Sequence, residues 1–118
     1  MIYPDEKLYV LVREDLSRGQ QAVQGMHALA DFASQHPEHF HPWNRSGNTL
    51  VLLNVADNNH LLDCKALFVG GGMACVMFRE PDMGHQGTAL AIQPHPAVSE
   101  WVSLLPLALR AKKRWWRR

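Results

Sequence analysis

The chain predicts an α/β sandwich of three layers around a central mixed sheet of about four strands, in the order β-α-β-α-β-β-α. Short apolar runs alternate along it with segments of helical composition. The runs are apolar almost throughout, as in strands covered on both faces, not alternating as in strands with one wet face. The last two runs are joined by a connection short enough for antiparallel pairing, which makes the sheet mixed. The 118 residues suit one domain, with 47% hydrophobic and 19% charged residues. A chain of that length buries roughly two-thirds of its unfolded surface, so a disordered polymer and a disulfide-dependent miniprotein are both excluded.

Residues 7–13 (KLYVLVR) read as the first strand. Glu14, Asp15, Leu16 and Ser17 make a polar turn, with Ser17 or Asp15 as the N-cap of a helix. That helix suits residues 18–34, which contain no proline. Ala22, Met26, Leu29 and Ala33 share one stripe of it, the expected core face. Gln20, Gln24, His27 and Asp31 share the opposite stripe, whose simplest reading is a solvent face. Residues 35–47 (QHPEHFHPWNRSG) hold two prolines and a glycine and read as a loop. Residues 48–55 (NTLVLLNV) form a second strand, and Ala56, Asp57 and Asn58 start a helix over 59–69 that the three glycines at 70–72 end. Residues 73–78 (MACVMF) are a third strand, 80–87 a turn-rich loop, and 88–93 (TALAIQ) a fourth strand. Pro94-His95-Pro96 breaks the chain before a short helix over 97–105.

Charge divides the molecule. Residues 1–109 hold six Lys/Arg and eleven Asp/Glu, a balance of −5, whereas residues 110–118 (RAKKRWWRR) hold six cations and no acid. The expected organisation is one domain over 1–109 and a basic, tryptophan-containing tail over 110–118. A polyanion suits such a tail, with its cations on phosphates and its indoles on unpaired bases. The N-terminus carries acids where a signal peptide carries a basic region, and no run reaches the ~20 apolar residues of a spanning helix. A soluble, cytoplasmic protein without a membrane partner is expected. Cys64 and Cys75 lie in apolar stretches outside any CxxC motif and read as reduced, buried thiols. His36, His39 and His41, with Glu38 among them, have ligand chemistry. A loop does not force three ligands to converge, so no metal is predicted. The glycines at 70–72 lack the Lys-Ser/Thr of a phosphate-binding loop and end a helix instead of opening one.

Residues 9–28 (YVLVREDLSRGQQAVQGMHA) resemble the opening of type II peptidyl-tRNA hydrolases, in which a strand runs into Arg-x-Asp-Leu and then a G-K-x-A-A-Q-x-x-H-A signature. The matching residues are Arg13, Asp15, Leu16, Gly19, Ala22, Gln24, His27 and Ala28. A second match, Thr88-Ala89-Leu90-Ala91-Ile92-Gln93-Pro94-His95-Pro96, resembles that family's T-x-L-x-I-G-P-x-P ending. The resemblance is collinear over 7 to about 105. It departs at Gln20, where the family has a catalytic lysine, and at 78–87, which is shorter than the family's loop and lacks its D-A-G-x-T-Q pattern. In the short Glu/Pro loop the chain is closer to the branch called peptidyl-tRNA hydrolase domain-containing proteins.

The resemblance implies hydrolysis of the ester between a peptide and the 3′ ribose of tRNA, without metal or cofactor. That chemistry needs a group to orient or deprotonate water and donors for the oxyanion. The candidates for catalysis are Gln20, Glu80 or Asp82 in place of the family's acid, Thr88 as a hydroxyl donor, and His27. Thr88 reads equally as a β-branched strand residue, and His27 equally as a hydrogen-bonded structural histidine. Substrate contacts are expected from Arg13, Arg18, Gln24, Arg114, Trp115 and Trp116, with Arg18 a stand-in for the missing cation. Gln20 and the altered loop support a second reading, a tRNA- or RNA-binding module without turnover. A third makes the tryptophan tail a self-association element and the protein a homodimer.

Overall fold

The structure is a computed structural model, and its described residues are 1–110. The expectations that fall on Arg114, Trp115 and Trp116 lie outside them. Strands β1 (Leu8–Arg13), β2 (Leu50–Val55), β3 (Cys75–Glu80) and β4 (Gln86–Ile92) form one sheet in the order β2-β1-β4-β3. β1 and β2 run parallel, and β4 is antiparallel to both β1 and β3. The sheet is mixed, as expected.

Alternation along β1 explains the three layers. Leu8, Val10 and Val12 face one way, toward Ala28 and Phe32 of α1 (Arg18–Gln35) and Trp43 of α2 (Pro37–Arg45). Tyr9 and Leu11 face the other way, toward Leu61 and Phe68 of α3 (Asn58–Gly70) and Val98 of α4 (Pro96–Trp101). Both faces of the sheet are covered, so the strands are mainly apolar, with their polar residues toward the strand ends. Cys64 and Cys75 belong to the second cluster, free and half-buried, and burial pushes both thiols up.

Helix α2 corrects the loop expected over 35–47. Pro37 occupies its first turn, where a missing N–H costs nothing, while Pro42 lies within the helix. The helix persists because it docks: Trp43 is buried, and Phe40 packs on the same cluster. Tertiary burial overrides Pro42 within these nine residues. At the other end of the chain, α4 stops at Trp101, short of the expected 105. Leu105 precedes Pro106, which disfavours a helical conformation there. The chain then runs along the free edge of β2. Asn54 N donates to Pro106 O at 2.8 Å, Ala108 N donates to Leu52 O at 2.9 Å, and Leu53 pairs with Leu107.

Helix α1 is turned differently from the expectation. Its buried residues are Gln21, Gln24, Gly25, Ala28 and Phe32, whereas Met26 of the supposed core stripe is 62% exposed. At 100° per residue the buried direction falls between the two stripes, roughly 110° from the apolar one and roughly 90° from the polar one. Two buried glutamines explain why. Gln21 Oε1 accepts from Asn54 Nδ2 at 2.8 Å while its own amide donates to Leu16 O at 2.9 Å. Gly25 lets the helix approach the sheet, since a Cβ there would meet Leu52 at 3.0 Å and Val12 at 3.3 Å. Both predicted stripes therefore become flanks, each bordering a hollow.

Candidate active site

The polar flank of α1 faces the turn between β3 and β4. Ser17 caps the helix, its hydroxyl accepting from Gln20 N at 3.2 Å. The first turn thus places Gly19 and Gln20 at the mouth of a cleft of about 410 Å³. Val23, Gln24 and His27 continue the same wall, and Glu80, Asp82 and Met83 form the opposite one. The turn is held in place. Pro81–Met83 make one turn of 3-10 helix, and Glu80 Oε1 accepts from Asp82 N at 3.4 Å. Gly84 closes the turn at φ 65°, a left-handed conformation that suits glycine, and His85 N donates to Glu80 O at 3.0 Å.

A chain of hydrogen bonds, buried at Thr88 and partly buried at Glu80, ties the two walls together. Thr88 Oγ1 donates to Gln24 Oε1 at 2.7 Å, and Gln24 Nε2 donates to Glu80 Oε2 at 3.1 Å. Thr88 has no exposed surface, and it reaches Gln24 because of a bulge. Phe78 pairs with Ala89 but Arg79 pairs with Gly87, which leaves Thr88 as the extra residue of β4. Strict alternation would aim Thr88 with Leu90 and Ile92 toward α3. The bulge turns it toward α1. The direction of the relay comes from chemistry: a carboxylate only accepts, so the amide nitrogen of Gln24 must face Glu80, and its oxygen then faces the threonine hydroxyl.

The other anticipated residues fall elsewhere. Arg13 is 6% exposed and does not line the cleft. Its guanidinium donates to both oxygens of Asp15 at 2.9 and 2.8 Å, to Gln86 Oε1 at 2.9 Å and to Gly87 O at 3.2 Å. It locks the end of β1 to the start of β4, and its hydrogen bonds hold the Asp15 carboxyl below the ordinary aspartate range. Arg18 donates to Leu109 O at 2.9 Å and Arg110 O at 2.7 Å, fixing the end of the described chain to the first turn of α1. His27 is exposed and stacks flat on Phe78, with centroids 4.4 Å apart and planes 9° apart. The cleft thus brings Gln20, Gln24, His27, Glu80 and Asp82 together, with Thr88 behind Gln24. Val23, Met83 and Phe78 had no sequence signal, since each reads locally as an ordinary apolar residue.

Two further hollows differ in chemistry. One of about 200 Å³ borders the apolar flank of α1, with Ala22, Met26 and Leu29 facing Leu50 and Leu52. The other, about 320 Å³, lies at the opposite end of the sheet, where Tyr3, His39, Gln93 and His95 meet the glycines after α3. No carboxylate lines it. Among the described residues no group of three or more His, Cys, Asp or Glu side chains could hold a metal ion. His36 contacts Glu38 at 3.3 Å, and burial pushes His39 down. Among the described residues, no helix is long and apolar enough to cross a membrane.

Comparison with protein families matches the chain to the model described as "Peptidyl-tRNA hydrolase PTH2" over residues 6–107. Comparison with curated proteins gives no match.

Proposed function

The chain belongs to the peptidyl-tRNA hydrolase PTH2 family, and on that premise we propose that it hydrolyses the ester of peptidyl-tRNA in the cleft between α1 and the β3–β4 turn. The observation that carries this reading is the Thr88–Gln24–Glu80 relay. It holds a carboxylate at the cleft wall with one oxygen on Gln24 and the other on a backbone amide. Each oxygen keeps lone-pair capacity for a water, so Glu80 can orient a nucleophile and take its proton. Gln20 stands across the cleft at the helix start, where its side-chain amide and the positive end of the helix favour developing negative charge. Asp82, at the turn, lines the same cleft, and its carboxylate can accept from ribose hydroxyls. No Lys or Arg lines the cleft among the described residues, so phosphate contacts fall to cations outside it, the 110–118 tail among them.

Gln20 in place of the family's lysine, with the altered 79–87 loop, favours one second reading, a domain that binds tRNA without turning it over. A single experiment separates the two. Purified protein and a Gln20→Lys variant are incubated with peptidyl-tRNA at neutral pH, and free tRNA is monitored. The hydrolase reading expects release by the wild type and faster release by Gln20→Lys. Salt-sensitive binding without release by either protein would replace it with the binding module.

A further inference from the structure

We propose that His27, backed by Phe78, is a stacking shelf for the terminal nucleobase of the RNA whose ester occupies the cleft. The proposal rests on the peptidyl-tRNA reading and deepens it, because it assigns the part of the substrate that lies beyond the ester.

Histidines that act as bases, or that lock elements together, are normally oriented by a hydrogen bond to one ring nitrogen. No such bond holds His27 among the described residues; its ring is held by its face. One face lies on Phe78, 4.4 Å away and within 9° of parallel. Phe78 is partly buried in β3, which makes the backing rigid. What remains of the imidazole for the cleft is its other face and its edge. One helical turn earlier, Val23 extends the same wall with an exposed apolar surface, and Met83 stands on the opposite wall. The cleft therefore offers two kinds of lining. Gln20, Gln24, Glu80 and Asp82 offer amides and carboxylates, which suit a ribose and an ester. His27, Val23 and Met83 offer a flat ring, an aliphatic edge and a thioether, which suit a planar aromatic group.

An unpaired base joined to the esterified ribose is the planar group that must lie within one nucleotide of the reacting bond. Single-stranded RNA ends are recognised largely by such stacking, on histidine among other rings, and the contact tolerates any base. The 410 Å³ of the cleft can take a ring beside a sugar, which a site for a bare carboxylic ester would not require.

The test uses the full chain and a short single-stranded RNA carrying 2-aminopurine as its 3′-terminal base, a fluorophore quenched on stacking. Wild type should bind and quench. His27→Ala should bind about tenfold more weakly and lose the quench, and His27→Phe should restore both, since a phenyl ring stacks but carries no proton. Wild-type binding without quenching, His27→Ala behaving as wild type, or His27→Phe failing like His27→Ala would each overturn the shelf. Circular dichroism of His27→Ala checks that the helix is intact. Because the probe carries no ester, a protein that quenches it but does not cleave peptidyl-tRNA would sink the hydrolase reading and leave the shelf standing. One that cleaves without quenching would do the reverse.

Discussion

The two flanks of α1 are the same length, lie on the same helix and border the same sheet, yet they carry opposite chemistry. On the side toward β3 and β4, Gln24 bonds across the gap to Thr88 and Glu80, and Glu80 also accepts from the backbone of its own turn. On the side toward β2, Met26 is 62% exposed and Leu50 48% exposed over a hollow with almost no polar lining. The first flank is closed by directional bonds and the second only by contact. Directional closure holds a carboxylate to one place, and a catalytic group must be held to one place to work. Apolar exposure costs a little solubility and positions nothing. Of the residues that carry the family resemblance, Gly19, Gln24 and His27 lie on the first flank and Ala22 on the second.

The harshest test of this contrast is Glu80→Gln. The side chain keeps its size, but its amide can no longer take a proton from water. It also presents either an oxygen to Gln24 or a nitrogen that clashes with the donor already there. Turnover of peptidyl-tRNA should fall about 100-fold or more while binding of the RNA persists. Single-turnover kinetics beside a binding titration measure both. Wild-type turnover in this variant would move the chemistry to Asp82 or away from the cleft altogether.

Thr88→Val comes next. It preserves shape and strand propensity but removes the hydroxyl that fixes the amide of Gln24. Gln24 Oε1 is then left without its donor in a buried position, at a cost of about 1–3 kcal/mol in stability. Freed to flip, the amide no longer holds Glu80, so kcat should fall about tenfold with KM little changed. Thr88→Ser should recover most of that rate. A purely structural threonine would lose melting temperature in the valine variant without losing kcat at matched folded fraction.

How much of the fold and the cleft is legible in the sequence depends on where the deciding partners lie in the chain. β1 and β4 are legible because their runs are apolar and their motifs local. The cap of α1 is legible to within two candidates, Ser17 and Asp15, because capping reaches only three residues, and the structure selects Ser17. Glu80 and Asp82 can be named as a pair of acids, but nothing local orders them; the ordering comes from Gln24, 56 residues away. The rotation of α1 is illegible for the same reason. A helix whose buried face carries Gln21, Gln24 and Gly25 looks polar there until Asn54, Thr88 and Leu52 supply the other half of each contact. The bulge that aims Thr88 leaves no mark in Gly87-Thr88-Ala89, because it is a mismatch between two strands. Helix α2 is hidden because its prolines speak locally, whereas Trp43 and Phe40 find their partners on β1 and α1.

The gentlest perturbation tests the other half of the contrast. Met26 sits one turn from Ala22 on the apolar flank, lines the hollow against Leu50 and Leu52, and has most of its surface in water. Met26→Gln keeps its length and helix propensity and changes only polarity. If this flank does nothing directional, stability should move by no more than about 0.5 kcal/mol, and kcat/KM for peptidyl-tRNA should stay within twofold of wild type. A thermal melt and one kinetic series are enough to decide. Glutamine can hydrogen-bond to water at this position without displacing any protein partner, so a loss of rate could not be blamed on a broken network. It would mean that the substrate also runs along the β2 side of α1, and the division of the helix into a working flank and an idle one would fail.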